Sequence, residues 1–368
     1  MALNCGIVGL PNVGKSTIFS AVTSAPAEAA NYPFCTIDPN IGMVAVPDSR
    51  LDKIVSLIPP AKVIPATVEF VDIAGLVAGA SNGEGLGNRF LASIREVGVI
   101  AHVVRCFDNS DIIHVNNKID PASDIETINI ELALSDLDSV EKRYQKQSKL
   151  GRVNKEQQKE NEFVLPILER LQKALSEGIP ARSVVTDEDE IKAIYDLHLI
   201  TMKPVIYVCN VDEDAMTEDN DYVRTVRAIA AKEGAEVVVI CGKMEAEIAA
   251  LESEEERKEF LEAAGLEESG LNHLIRSAYR TLGLRTFFTA GSDEDRAWTF
   301  HAGDKAPRCA GVIHTDFEKG FIKAEVYNCE DLFKYGSELK VKEAGKLRLE
   351  GKEYVVQDGD IMHFRFNN

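Results

Sequence analysis

The chain has 368 residues, enough for two or three domains, and its 45% hydrophobic and 27% charged content is ordinary for a globular protein. A net charge of −19 disfavours indiscriminate binding to nucleic acid, so any such contact has to come from a local basic patch. The seven cysteines (Cys5, Cys35, Cys106, Cys209, Cys241, Cys309 and Cys329) are scattered without a C-x-x-C pair, which argues against a zinc site or a disulfide framework and fits reduced thiols in a cytoplasmic protein. No apolar run reaches the length of a membrane span, and the first strand begins so early that no signal peptide is expected.

In chain order, the apolar run Leu3–Val8 predicts a buried strand. Gly9-Leu10-Pro11-Asn12-Val13-Gly14-Lys15-Ser16 follows and fits G-x-x-x-x-G-K-[ST], the phosphate-binding loop. Thr17 to Val22 then opens a helix. Backbone N–H groups of such a loop curl round a phosphate, and the helix N-terminus adds partial positive charge. Asn12, Val13, Gly14, Lys15, Ser16 and Thr17 are the expected nucleotide contacts. Lys15 reaches the β- and γ-phosphates and the Ser16 hydroxyl is an expected Mg²⁺ ligand. Thr36, in Asn31-Tyr32-Pro33-Phe34-Cys35-Thr36, is a second expected Mg²⁺ ligand, with a solvent-facing loop threonine as the alternative.

Strand-like runs recur at Ile41–Val46, Thr67–Val71, Val99–Cys106, Val205–Cys209 and Val237–Cys241. Several are near-continuous and β-branched, as strands buried on both faces are. With helical patterns between them they predict an α/β domain with a mostly parallel sheet, whose binding edge is formed by loops at the carboxyl ends of the strands. The run through Val71 ends in Asp72-Ile73-Ala74-Gly75, a D-x-x-G. At such a place the Asp holds Mg²⁺ through water and the Gly N–H meets the γ-phosphate. Gly79, Gly83, Gly85 and Gly87 follow and suggest a switch-like loop. Leu76 stands where many small GTPases carry a Gln that orients the attacking water. His114 is one candidate for that role; a structural histidine near a strand end is the other reading.

From about 124 to 198 strand signals vanish. Ile130, Leu134, Leu137 and Tyr144, then Phe163, Ile167, Leu168, Leu171 and Leu175, fall at helical spacing and predict an inserted helical hairpin. Lys142, Arg143, Lys146, Lys149, Arg152 and Lys155 cluster near its tip, either as a solvated face or as an RNA or ribosome contact. After Val205–Cys209 comes Asn210-Val211-Asp212-Glu213. GTPases usually carry N-K-x-D here, with the Asp accepting from guanine N1–H and N2–H₂. Val211 and Glu213 take the Lys and Asp positions, and the longer Glu impairs the guanine fork. ATP is therefore expected over GTP, with Asn210, Val211 and Glu213 at the base. Glu252 to Glu268 and Leu271 to Leu282 read as helices. Beyond Arg285, short strands at Thr286–Thr289, Ala297–Phe300, Ile322–Val326, Tyr354–Val356 and Ile361–Phe364 predict a small α+β domain.

Together these residues resemble the YchF/Obg-like ATPase family of P-loop proteins over nearly the whole chain. The resemblance is carried by Gly6 to Thr17, Asn31 to Thr36, Asp72 to Val77 with Gly83 to Asn88, Asn210 to Glu213 (the family's N-x-x-E) and His314 to Ile322, similar to the TGS signature. No motif position departs from the family pattern. The resemblance implies an Obg-type G-domain over 1–281, interrupted by the hairpin at about 124–198, and a β-grasp TGS domain over 282–368. It implies Mg²⁺-dependent ATP hydrolysis despite GTPase ancestry, and association of a cytoplasmic monomer with the ribosome or RNA through the hairpin and the TGS domain, in translation or stress response. His114, Lys15 and Gly75 are the catalytic candidates it implies, and Asn12 matches the loop Asn of relatives that use K⁺ as a second cation. The competing readings are a nucleotide-tuned RNA- or ribosome-binding module with incidental turnover and a conventional GTPase.

Overall fold

The computed structural model describes residues 3–24, 40–73, 86–109, 118–150, 155–251 and 253–367. The chain forms two compact units, Met1–Gly42 with Glu69–Leu274 and Met43–Val68 with Ile275–Asn368. It begins with β1 (Asn4–Val8), α1 (Lys15–Ser24), β2 (Ile41–Ala45), α2 (Ser49–Leu57), β3 (Lys62–Ile64), β4 (Thr67–Asp72), α3 (Leu86–Glu96) and β5 (Val99–Arg105). There follow α4 (Pro121–Leu150), α5 (Lys155–Ser176), α6 (Glu188–Ala193), β6 (Val205–Asn210), α7 (Asp221–Glu233), β7 (Glu236–Ile240), α8 (Gly242–Ala250), α9 (Glu254–Ala263) and α10 (Gly270–Thr281).

The first sheet has the order β2-β4-β1-β5-β6-β7. β1 pairs in parallel with β4 and β5, and β6 in parallel with β5 and β7. The expectation of strands buried on both faces holds for β5 and β6, which are buried throughout. Ile41–Val46 is not one of these. There β2 is an edge strand that alternates, with Ile41 and Met43 exposed, the pattern of a strand with one solvated face.

The hairpin forms as α4 against α5. Val140, Val164, Ile167, Leu168, Leu171 and Leu175 make a dry seam that continues into Val185, Ile194 and Leu199. Burying each leucine contributes about 2–3 kcal/mol. Ile130, Leu134 and Phe163, expected on the apolar stripes, are exposed. Phe163 lies about 40° from Ile167 and about 90° from the middle of the 164/167/168/171 stripe, so it falls at the outer edge of the seam. The base of the hairpin is tied to the sheet by buried Asp136, which accepts from Ile200 N (3.0 Å), Thr201 N (2.7 Å) and Thr201 Oγ1 (2.7 Å) just ahead of β6. Arg182 pairs with Glu233 at 2.6 Å, and Tyr207 of β6 donates to the same carboxylate at 3.0 Å. His102 packs beside Tyr207. Burial, and then Arg182, lower His102 to about 3, so this contact is made by a neutral ring.

Of the stretch expected as a helix from Glu252 to Glu268, Glu252 lies outside the described residues and 253–268 is helical over α9 alone, where Ser253 and Glu256 form a reciprocal capping box. The second sheet contains β8 (Leu284–Thr289), β9 (Glu294–His301), β10 (Phe321–Asn328), β11 (Arg348–Glu350) and β12 (Asp360–Phe366), with β3 as an edge, in the order β11-β10-β12-β8-β9-β3. Phe287, Phe300, Ala324, Val326 and Met362 form its core with Ala306, Cys309 and Ala310 of α11 (Ala306–Ile313). Helices α12 (Thr315–Lys319), α13 (Cys329–Tyr335) and α14 (Glu338–Glu343) complete this unit. Tyr354–Val356, expected as a strand, is not one: it makes a single bridge, Val355 to Lys305. Its polar atoms close a turn instead, Tyr354 Oη donating to Asp360 at 2.6 Å.

Candidate nucleotide site

The site is assembled at the carboxyl ends of β1, β4, β6 and β7, where open α/β sheets bind ligands. β1 is almost wholly buried, and β4 and β5 flank it in register, so the loop after Val8 leaves from a fixed point. Gly9 is required by close approach, since a Cβ there would lie 2.8 Å from Val103 O. Gly14 has φ +94°, and a Cβ on it would lie 2.2 Å from Asn210 Nδ2, so both backbone and space exclude a larger residue. Asn12 also adopts a left-handed conformation (φ 64°), which Asn tolerates better than most residues. Ile18 N donates to Gly14 O at 3.0 Å, the first turn of α1. The N–H groups of Lys15, Ser16 and Thr17 therefore face outward without an intrahelical acceptor, as an anion site needs.

Asn210 holds the loop. Its Nδ2 donates to Val13 O at 2.8 Å, and its Oδ1 accepts from Gly242 N at 3.0 Å. This buried side chain therefore joins three loops, those after β1, β6 and β7. Half of its hydrogen-bonding capacity is spent on that tie, leaving one N–H and one lone pair. Val211 is buried and its N–H donates to Ile240 O at 2.8 Å. Glu213 is half-exposed and pairs with Lys243 at 2.9 Å, and this bond raises the Lys243 pKa. Gly242 and Lys243 were not among the residues expected from sequence. The available signal was a Gly-Lys directly after the strand-like run Val237–Cys241.

Lys15 and Asp72 form an ion pair, with Ser16 at the first turn of the same helix. Among the described residues no group of three His, Cys, Asp or Glu side chains could hold a metal. One carboxylate and one hydroxyl beside a phosphate loop nevertheless suit Mg²⁺, which is held by few protein ligands and completed by phosphates and water. The Lys15–Asp72 pair fits the same partner: a cation–polyphosphate brings one charge for each of its members. Thr36, Gly75, Leu76 and His114 lie outside the described residues, as do Gly79, Gly83 and Gly85; Gly87 falls within α3.

A family model described as a 50S ribosome-binding GTPase matches residues 4–166, and the YchF-GTPase C-terminal model, described as a protein of unknown function, matches 284–367. The chain is 57% identical over 369 residues to the "Ribosome-binding ATPase YchF" of Bacillus subtilis (strain 168), covering 100% of both. The protein of the same name from Escherichia coli O157:H7 is 53% identical, again with 100% of both covered. The chain belongs to the YchF family. A solved structure titled as the Schizosaccharomyces pombe YchF GTPase superposes with a TM-score of 0.89 at 39% identity, covering 99% of this chain and 97% of that one. The P-loop fold and the C-terminal unit are thus those of YchF proteins. No helix among the described residues is long and apolar enough to cross a membrane.

Proposed function

We propose that this YchF family member is a Mg²⁺-dependent ATPase that prefers ATP to GTP and acts as a nucleotide-controlled partner of the ribosome. The observation that carries the reading is the way the site is built: a phosphate loop held by Asn210, an acid–base pair at Lys15 and Asp72, and at the base end Glu213 in place of a guanine-reading Asp. The amides of Lys15, Ser16 and Thr17 and the Lys15 ammonium orient the phosphates. Ser16 and Asp72 would hold Mg²⁺, which when bound neutralises phosphate charge. Thr36, Gly75 and His114 are assigned metal binding, γ-phosphate sensing and water orientation, in that order. K⁺ beside Asn12 belongs to the same proposal, and equal turnover in Na⁺ and K⁺ buffers would sink it.

The proposal extends to an Obg-type G-domain followed by a TGS domain, in a cytoplasmic monomer. The curated relatives are named ribosome-binding ATPases, and Lys146 and Lys149 near the hairpin tip are exposed. Lys142 and Arg143 are instead paired with Asp138 and Asp196, which narrows the basic patch. The S. pombe relative is named a GTPase; Val211 and Glu213 oppose that reading here. The deciding experiment is equilibrium binding of ATP and GTP to nucleotide-free protein with Mg²⁺, followed by hydrolysis of each. ATP tighter by about tenfold, or about 1.4 kcal/mol, supports the reading. Equal or tighter GTP binding refutes it.

A further inference from the structure

Glu213 follows β6, three residues after Asn210, and Lys243 lies in the first turn of α8, one residue after Gly242. Asn210 and Gly242 are themselves hydrogen-bonded to each other at 3.0 Å. The two segments are therefore fixed at their roots, and the Glu213–Lys243 contact of 2.9 Å bridges them a second time. Both side chains are more than half exposed, 53% and 73%, so the bridge lies on the solvent side of the segments that Asn210 joins. Glu213 stands at the position where GTPases carry the guanine-reading Asp of N-K-x-D, which puts the bridge at the base end of the nucleotide site as read above.

The two bases place opposite demands on a carboxylate there. Guanine offers two adjacent donors, N1–H and N2–H₂, which a free carboxylate accepts together. Adenine offers one donor at N6 and an acceptor at N1, which a carboxylate repels. A carboxylate already bonded to an ammonium has lost part of its charge and one oxygen's best lone pair.

We propose that Lys243 is a base-specificity residue that works through Glu213: by holding the carboxylate in an ion pair it withdraws the acceptor that guanine needs, and so tilts the site toward adenine. This rests on the nucleotide-site reading above and adds a second cause to the extra methylene of Glu213. Lengthening alone displaces the acceptor, whereas the ion pair neutralises it. An exposed pair of this kind shifts an equilibrium by about two- to fivefold, so Lys243 modulates base choice rather than creating it. Salt weakens the pair. The triphosphates of ATP and GTP carry the same charge, so salt effects on the phosphates cancel in the ratio of affinities.

The test is the GTP-to-ATP affinity ratio by equilibrium binding with Mg²⁺, in parent, Lys243→Met and Lys243→Met/Glu213→Gln proteins, at low and high salt. Methionine keeps the length and removes every donor, so it cannot itself read guanine. Lys243→Met is expected to move the ratio toward GTP by about two- to fivefold, and the added Glu213→Gln to cancel the gain. High salt should move the parent ratio in the same direction and leave the Lys243→Met ratio in place. A ratio unchanged by Lys243→Met, or a gain that survives Glu213→Gln, overturns the proposal. The parent ratio by itself tests the preference for ATP, and the change on substitution tests Lys243, so the two readings fail separately.

Discussion

Replacing Glu245 with glutamine should flatten the dependence of stability on pH. Glu245 lies on α8, is 1% exposed, and accepts from Gly270 N at 2.7 Å at the start of α10. Its second carboxylate oxygen, Oε2, is buried without a hydrogen-bond partner. Burial outweighs the hydrogen bonds it accepts and lifts its pKa from 4.5 to about 7. The folded state therefore binds this proton more tightly than the unfolded chain. The stabilising contribution is complete below 4.5 and is lost as pH rises through 7. The full loss is about 3 kcal/mol, most of it between about pH 5 and about pH 8. Glutamine keeps an acceptor for Gly270 N and carries no charge at any pH. The variant should be more stable by less than about 1 kcal/mol near about pH 5 and by about 3 kcal/mol near about pH 8. The assay is urea unfolding at both pH values, followed by far-UV circular dichroism. Fluorescence of Trp298, the chain's single tryptophan, watches the other compact unit. If parent and variant lose stability in parallel from about pH 5 to about pH 8, the carboxyl does not titrate in that window and the reasoning is wrong.

Two further outcomes follow from the same geometry. Asn210→Ala leaves Val13 O and Gly242 N without their partner, at about 1–3 kcal/mol for each buried group; it should lower both ATP and GTP affinity at least tenfold in titration calorimetry, with the ratio between them little changed. Leu168→Ala empties a site at 0% exposure in the hairpin seam and should cost about 2–5 kcal/mol, read as a lower urea midpoint. Nucleotide affinity in that variant should hold under native conditions, because the seam touches no residue of the phosphate loop.

The phosphate loop was legible because its chemistry is local. Gly14, Lys15 and Ser16 are adjacent, and the strand before them and helix after them announce themselves by pattern. Asn210 was legible as a position but not as a brace, since its partners Val13 and Gly242 are distant in sequence and its bonds are to backbone. Lys243 was missed for a related reason: a lysine at a helix start is ordinary until Glu213 is seen opposite it. In the hairpin, the helices followed from spacing, but Ile130, Leu134 and Phe163 were assigned to the seam because apolar character does not say which of two neighbouring stripes is covered. Nor does anything local in Lys62–Ile64 say that it pairs with Glu294–Arg296, because strand pairing at long range leaves no periodic trace.

That pairing has a consequence for how the molecule is made. The chain passes between the two compact units three times, after residues 42, 68 and 274. During synthesis the edge strand of the second sheet emerges long before the strand it will pair with, and it must wait through the translation of residues 69–274, the larger part of the nucleotide unit. A fragment starting near residue 275 would lack that strand, leaving β9 with an open hydrogen-bonding edge and a tendency to associate with other chains. A single proteolytic nick between the units would not release either, because the excursion through 43–68 still links them.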